Sequence, residues 1–234
     1  MSTIMDFRAA LDGIVAQPDG TLTPFDACSG DSAADVRNYR FRPLAADEHD
    51  AYDALVRASF SEARIFSESF LPDARTRRYG VMHIEDGLVG TCSFRDASKN
   101  EQLADHLAEH LSVPPRRIWE VNNFAVAPDH RNGTASALLL FGCALSGHRS
   151  GVDALAGVIR STAIPALTNF GLVPTYHEPL HVLGRPDVCD FISFYDTKEE
   201  ESVMYLRERA ARFFYSAHVM YQIRAHARTV KSAG

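Results

Sequence analysis

Ile118-Trp119-Glu120-Val121-Asn122-Asn123-Phe124-Ala125-Val126-Ala127-Pro128-Asp129-His130-Arg131-Asn132-Gly133-Thr134-Ala135-Ser136 is the stretch around which the rest of the chain is read. Its first nine residues are mostly apolar or β-prone and predict a strand ending at Val126. Pro128 and Gly133 bracket a tight loop that carries Arg131, and a helix rich in small and aliphatic residues opens at Thr134. Such a loop aims backbone N–H groups from a helix N-terminus, where the helix dipole favours anions, and Arg131 adds a cation. The combination predicts a phosphate or pyrophosphate site built from Val126, Arg131, Asn132, Gly133, Thr134 and Ala135.

Working outward, residues 39–43 alternate as a short strand, and residues 47–60 predict a helix with Tyr52, Leu55, Val56 and Phe60 on one face. Residues 79–85 and 88–94 read as strands joined at Asp86-Gly87, a strong hairpin signal. Residues 99–111 form an amphipathic helix pattern, closed off by Pro114-Pro115. Beyond the central stretch, the helix from Thr134 runs to about residue 146. A buried-looking strand at 154–159, a short helix at 163–169 and strands at 181–183 and 189–195 follow. Residues 198–227 carry an apolar stripe that includes Met204, Phe213, Phe214 and Ile223, which predicts a long terminal helix packed on the domain or pairing with a second copy in a homodimer. At the other end, residues 5–16 show helical spacing, and residues 17–35, rich in Gly, Ser, Asp and Pro, read as a linker. The order predicts an α/β fold around one mixed sheet flanked by helices. The expected divisions are an N-terminal helix and linker (1–37), the compact domain (38–197) and the terminal helix (198–234).

Composition narrows the function. The chain has 234 residues, enough for a full core without cross-links, and its 46% hydrophobic and 23% charged residues are ordinary for a soluble domain. A net charge of -6 with no basic stripe argues against nucleic acid. No stretch approaches the roughly 18–20 apolar residues that a membrane span needs, and residues 1–17 lack the uninterrupted apolar core of a secretory signal. The expectation is a cytoplasmic protein. Cys28, Cys92, Cys143 and Cys189 are widely spaced and show no zinc pattern. His106 and His110 share a predicted helix face, but without a third ligand they read as solvated, so no metal is expected.

The segment Val126-Ala127-Pro128-Asp129-His130-Arg131 resembles the link between the fourth strand and third helix of the GNAT acyltransferases. In that superfamily this link holds the pyrophosphate of coenzyme A or the phosphopantetheine arm of acyl carrier protein. The usual pattern continues with two glycines or other small residues; here Gly133 is displaced by one position, and Thr134 and Ser136 stand in the small-residue positions. Residues 163–172 resemble the superfamily's short helix ending at a glycine, with Leu167 where many members carry a tyrosine acid. The resemblance covers about residues 39–195. It implies a mostly antiparallel mixed sheet, an acyl thioester donor and no metal.

A narrower resemblance lies in Trp119-Glu120-Val121-Asn122-Asn123-Phe124-Ala125-Val126. It is similar to the Trp-Glu strand of the acyl-homoserine-lactone synthases and the long-chain N-acyl amino acid synthases, with Asn123 in place of that motif's arginine. The resemblance implies Glu120 as the base for an attacking amine, commonly through water. The chemistry also calls for an oxyanion donor, and the backbone N–H of Phe124 or Val126 near the strand's bulge is the candidate. Asn122 and Asn123 are expected on the substrate side as hydrogen-bonding residues. The expected activity is transfer of an acyl group from acyl-CoA or acyl carrier protein to a small amino-acid-like amine. A plain acetyl-CoA-dependent acetyltransferase, or a non-catalytic acyl-thioester sensor on the same fold, is the alternative.

Overall fold

The structure, a computed structural model, describes residues 14–16, 21–24, 38–66, 68, 71–73, 76–110, 117–131, 133–160, 164 and 190–196. Among these residues, eight strands form one sheet in the order β1-β2-β3-β4-β5-β6-β7-β8. They are β1 (Ile14–Ala16), β2 (Leu22–Pro24), β3 (Tyr39–Pro43), β4 (Arg77–His83), β5 (Gly87–Asp96), β6 (Ile118–Val126), β7 (Ala154–Arg160) and β8 (Asp190–Asp196). Every neighbouring pair is antiparallel except β6 and β7, which run parallel. Among the described residues, three helices flank the sheet: α1 (His49–Glu62), α2 (Glu101–His110) and α3 (Thr134–Arg149). The mixed, mostly antiparallel sheet expected from the sequence is therefore present.

The hairpin at Asp86-Gly87 is also present. Gly87 takes φ 71°, a left-handed conformation that costs glycine no Cβ clash, and β4 meets β5 with His83 opposite Gly87. Two expectations near the N-terminus change. Ile14–Ala16, read as the end of a helix, is a strand, and Leu22–Pro24, read as linker, pairs with it antiparallel. The β-branched pair Ile14-Val15 favours an extended chain, and the Asp19-Gly20 dipeptide between the two segments suits a turn. A 3.6-residue apolar spacing cannot by itself outweigh the sheet edge that β3 offers. Residues 5–13, the strand at 181–183 and the helix at 198–227 lie outside the described residues, as does all of the short helix at 163–169 except residue 164.

The main core lies between α3 and the sheet. Phe41, Val81, Phe94, Leu138 and Leu139 are buried there together. Fully burying side chains of this size contributes roughly 1.5–3 kcal/mol each. A second, smaller cluster joins Leu103 and Leu107 of α2 to Ala97 and Ala156. Helix α1 contributes the buried Tyr52 and Val56 and packs on β5 and β6.

Gly142 sets how closely α3 approaches. A Cβ there would lie 2.6 Å from the Phe41 ring. Gly142→Ala is therefore expected to destabilise the protein by about 1–3 kcal/mol through overpacking. This opposes the gain of about 1 kcal/mol that alanine brings to a helix interior. Urea unfolding of the two proteins decides the sign, and a more stable variant would refute the close approach.

Candidate active site

The site begins where β6 and β7 part. Their parallel pairing covers only Ile118, Trp119 and Glu120 against Ala154, Leu155 and Ala156. Beyond that point β6 stays on β5 as far as Val126 opposite Gly90, and β7 stays on β8 as far as Arg160 opposite Asp190. Each strand follows its outer partner, and a wedge opens between them. At its apex the backbones still touch: a Cβ at Gly157 would stand 3.0 Å from the Val121 carbonyl oxygen. Farther along, Phe124 and Val158 are exposed, one on each diverging strand.

The bend in β6 has a local cause. The register with β5 shifts between Thr91 and Ser93, so that Asn123 and Phe124 together oppose a single residue. This is a β-bulge, which kinks a strand and increases its twist. Asn123 accommodates it with φ 54°, a left-handed conformation in which asparagine is several-fold enriched. The Thr91 hydroxyl donates to the Asn123 carbonyl at 3.0 Å. The Asn123 side chain is buried beside the Tyr52 phenol of α1, whose pKa burial pushes up while Ser93 and Asn123 partly offset it. Among the described residues, the pairing of β6 with β7 does not extend beyond Glu120.

Glu120 lies on the last paired rung before the strands part and is only 2% exposed. Arg95, its cross-strand neighbour, donates from Nε to Oε2 at 2.5 Å, and Asn100 Nδ2 donates to Oε1 at 2.8 Å. Hydrogen-bond logic orients the Asn122 amide so that its nitrogen donates to Glu120 Oε1 and its oxygen accepts from Arg95 Nε, both at 3.1 Å. The buried carboxylate is thus held by one cation and two amides. Trp119 and Val121, pointing the other way, pack on the main core, and the Arg77 guanidinium lies 4.9 Å from the Trp119 ring centroid. Any movement of the Glu120 carboxylate would break this set.

The loop after β6 is a single 3-10 turn, Pro128–His130, and its first amide is tied down by Ala127 N–H donating to Val89 O at 2.8 Å. Arg131 Nε donates to Val126 O at 2.9 Å, and its two terminal nitrogens donate to the Glu62 carboxylate at 3.0 and 2.5 Å. Its guanidinium thus clamps the loop to the end of α1. Gly133 is the N-cap of α3 and has no side chain to satisfy the helix's first N–H groups. Those of Thr134, Ala135 and Ser136 therefore have no acceptor within the helix, as at any helix N-terminus. Asn132 lies outside the described residues.

The structure thus brings Glu120, Asn122 and Asn123 together on one strand, with Phe124 and Val126 along its free edge. It sets Gly133, Thr134 and Ala135 at the head of α3. The sequence did not single out Arg95, Asn100 or Glu62. Arg95 faces Glu120 only through the β5–β6 register, and Glu62 is far from Arg131 in the chain.

The Arg131 clamp has a pH signature. The hydrogen bonds from Arg131 hold the Glu62 carboxyl below its ordinary 4.5. A lowered carboxyl pKa means that the pair contributes above the ordinary value and is lost as pH falls through the folded one. The Arg131 Nε–H resonance is expected to titrate once, below pH 4.5. In Glu62→Gln that step disappears; a persistent step would show that Glu62 is not the partner.

No protein-family model and no curated protein matches the sequence. Solved structures do match. FeeM, an N-acyl amino acid synthase from uncultured soil microbes, superimposes with a TM-score of 0.52 at 18% identity, covering 70% of this chain and 95% of that one. BjaI, a CoA-dependent acyl-homoserine lactone synthase solved with MTA, gives a TM-score of 0.56 at 16% identity, covering 73% and 88%. MesI, also described as a CoA-dependent acyl-homoserine lactone synthase, gives 0.52 at 14%, covering 73% and 95%. At these identities the likeness concerns the fold: this chain has the mixed, helix-flanked sheet of the GNAT N-acyltransferases.

Proposed function

We propose that this protein is an N-acyltransferase. It would move an acyl group from a thioester, carried by coenzyme A or acyl carrier protein, to the amine of a small amino-acid-like acceptor. The observation that carries this reading is the wedge between β6 and β7, with its bulge at Asn123, opening beside the uncapped N-terminus of α3. The fold shared with FeeM and BjaI supports it.

The pieces fit a thioester donor. The N–H groups of Thr134, Ala135 and Ser136 meet its phosphate, and Arg131 keeps their loop in place by gripping Glu62 and Val126 O. The free edge of β6 offers an extended arm main-chain hydrogen bonds, and Phe124 or Val126 N–H points at the oxyanion that develops on the thioester carbon. Holding both reactants in the wedge makes the attack effectively intramolecular. As the amine nitrogen bonds to the acyl carbon, the C–S bond breaks. The amine proton passes towards Glu120 through water, since the carboxylate is buried and bridged. The departing sulfur leaves as a thiolate, a much weaker base than an alkoxide, so little help from an acid is needed. This suits Leu167 at the position where a tyrosine acid is common. No helix of the described residues is long and apolar enough to cross a membrane.

Two substitutions separate binding from chemistry. Thr134→Pro removes one N–H at the first helical position, where proline is well tolerated, and the preceding Gly133 is already extended. It is expected to raise the donor KM about tenfold, as the loss of one charge-assisted hydrogen bond implies, with Thr134→Ala as the control that keeps the N–H. Glu120→Gln is expected to lower kcat by a factor of about 10² or more, in the range typical of general bases, while donor affinity measured by calorimetry holds. Thiol release from a panel of acyl-CoA and acyl-carrier donors with amines reads both. No release with any pair, together with no donor binding, would refute the acyltransferase reading. Donor binding without release would leave the sensor reading.

A further inference from the structure

Outside the wedge, two imidazoles converge on one carboxylate oxygen. Asp86 Oδ2 lies 2.7 Å from His83 Nδ1 and 3.3 Å from His130 Nε2, and the three atoms all fall within 4.8 Å of one another. His83 closes β4, Asp86 sits in the β4–β5 turn, and His130 ends the 3-10 turn just before Arg131. None of the three takes part in holding Glu120.

We propose that His83, Asp86 and His130 form a binding site for a borderline divalent transition-metal ion, zinc being the type case. The first argument is electrostatic. The Asp86 N–H approaches His83 Nδ1 at 3.3 Å, a long contact in which that nitrogen serves as acceptor and which a metal bond to its single lone pair would replace. A carboxylate oxygen 2.7 Å from the same nitrogen also presents a lone pair. Two such atoms repel unless a positive charge lies between them, as a proton or a metal ion supplies. The second argument is the ligand set. Two imidazoles and one carboxylate are the donors that zinc, cobalt and nickel favour, whereas magnesium and calcium prefer all-oxygen sites.

The third argument concerns how the ligands are held. Metal-bound imidazoles commonly use their second nitrogen on an outer partner that fixes the tautomer. His130 Nδ1 is 2.8 Å from the Tyr39 hydroxyl. A phenol can accept as well as donate, so it can receive Nδ1–H and leave the Nε2 lone pair for the ion. Tyr39 lies directly across from His83 in the β3–β4 register, and the rings of Tyr39, His83 and His130 pack on one another. Both imidazoles are largely dry, at 7% and 11% side-chain exposure, while Asp86 is 54% exposed. The site therefore has a rigid inner wall and one open side for ion entry and bound water. A metal held there would clasp the β4–β5 turn to the loop that leads into α3.

The test uses the full chain, stripped of metal with a chelator and titrated calorimetrically with Zn2+ alone. One ion per chain is expected. Asp86→Asn should weaken binding at least tenfold, as should His83→Gln, and Tyr39→Phe should cost about tenfold through the outer shell alone. Zinc should raise the melting temperature of the wild type and not that of Asp86→Asn. Should an imidazole variant fail to fold, Co2+ bound to the wild type supplies an independent reading: paramagnetically shifted imidazole N–H or C–H resonances from two histidines support the site. Zinc binding that matches the His83→Gln/His130→Gln double variant would overturn the proposal, leaving a proton-bound cluster. The same holds for a Co2+ complex without two histidine signals. The chain has ten histidines, so the comparison with Asp86→Asn separates this site from scattered surface binding.

Discussion

The parting of β6 from β7 after three paired residues is the constraint on which the rest of the site depends. In a parallel pair, every further rung would satisfy two strands at once, so a strand leaves its neighbour only when something better holds it elsewhere. Here β5 holds β6 along most of its length and β8 holds β7 along all of its own. The bulge at Asn123 turns β6 away, with Tyr52, Ser93 and Thr91 packed around it. Gly157 lets the two backbones meet closely at the apex before they separate. The result, among the described residues, is a strand edge that β7 leaves uncovered beyond Glu120, where a ligand or water can meet main-chain groups.

The same strand carries the buried charge. Glu120 is stabilised by Arg95, Asn100 and Asn122, and a buried carboxylate without such partners would be strongly unfavourable. Because Arg95 is partly exposed and Glu120 is not, the pair leads from solvent to the interior beside the wedge. Helix α3 complements it from the other side. Its buried flank is fixed against the sheet by Gly142 on Phe41, so its uncapped N-terminus is presented at a set position and angle. Arg131 acts across the loop between them, joining the end of β6 to the end of α1 through Val126 O and Glu62.

Much of this was legible in the sequence. The strand ending at Val126, the loop and the helix opening at Thr134 follow from β-prone composition, Pro128, Gly133 and a run of small apolar residues. Each of those signals acts over a few residues, and local signals survive folding. The hairpin was legible for the same reason: Asp86-Gly87 answers a backbone demand that only its own turn makes. The N-terminal strands were not, because Ile14–Ala16 becomes a strand only by pairing with Leu22–Pro24, and the edge of β3 that receives them is made elsewhere in the chain.

By itself, the sequence determined the order of the central elements and placed Glu120 on a strand leading into the loop that carries Arg131, since propensity and capping are local. Only the tertiary structure decided that Glu120 faces Arg95 and Asn100, that Arg131 is clamped to Glu62, and that His83, Asp86 and His130 share one point in space. Those contacts depend on strand register, on a one-residue bulge that shifts it, and on helix approach distances. None of these leaves a mark within a few residues of the groups that it brings together.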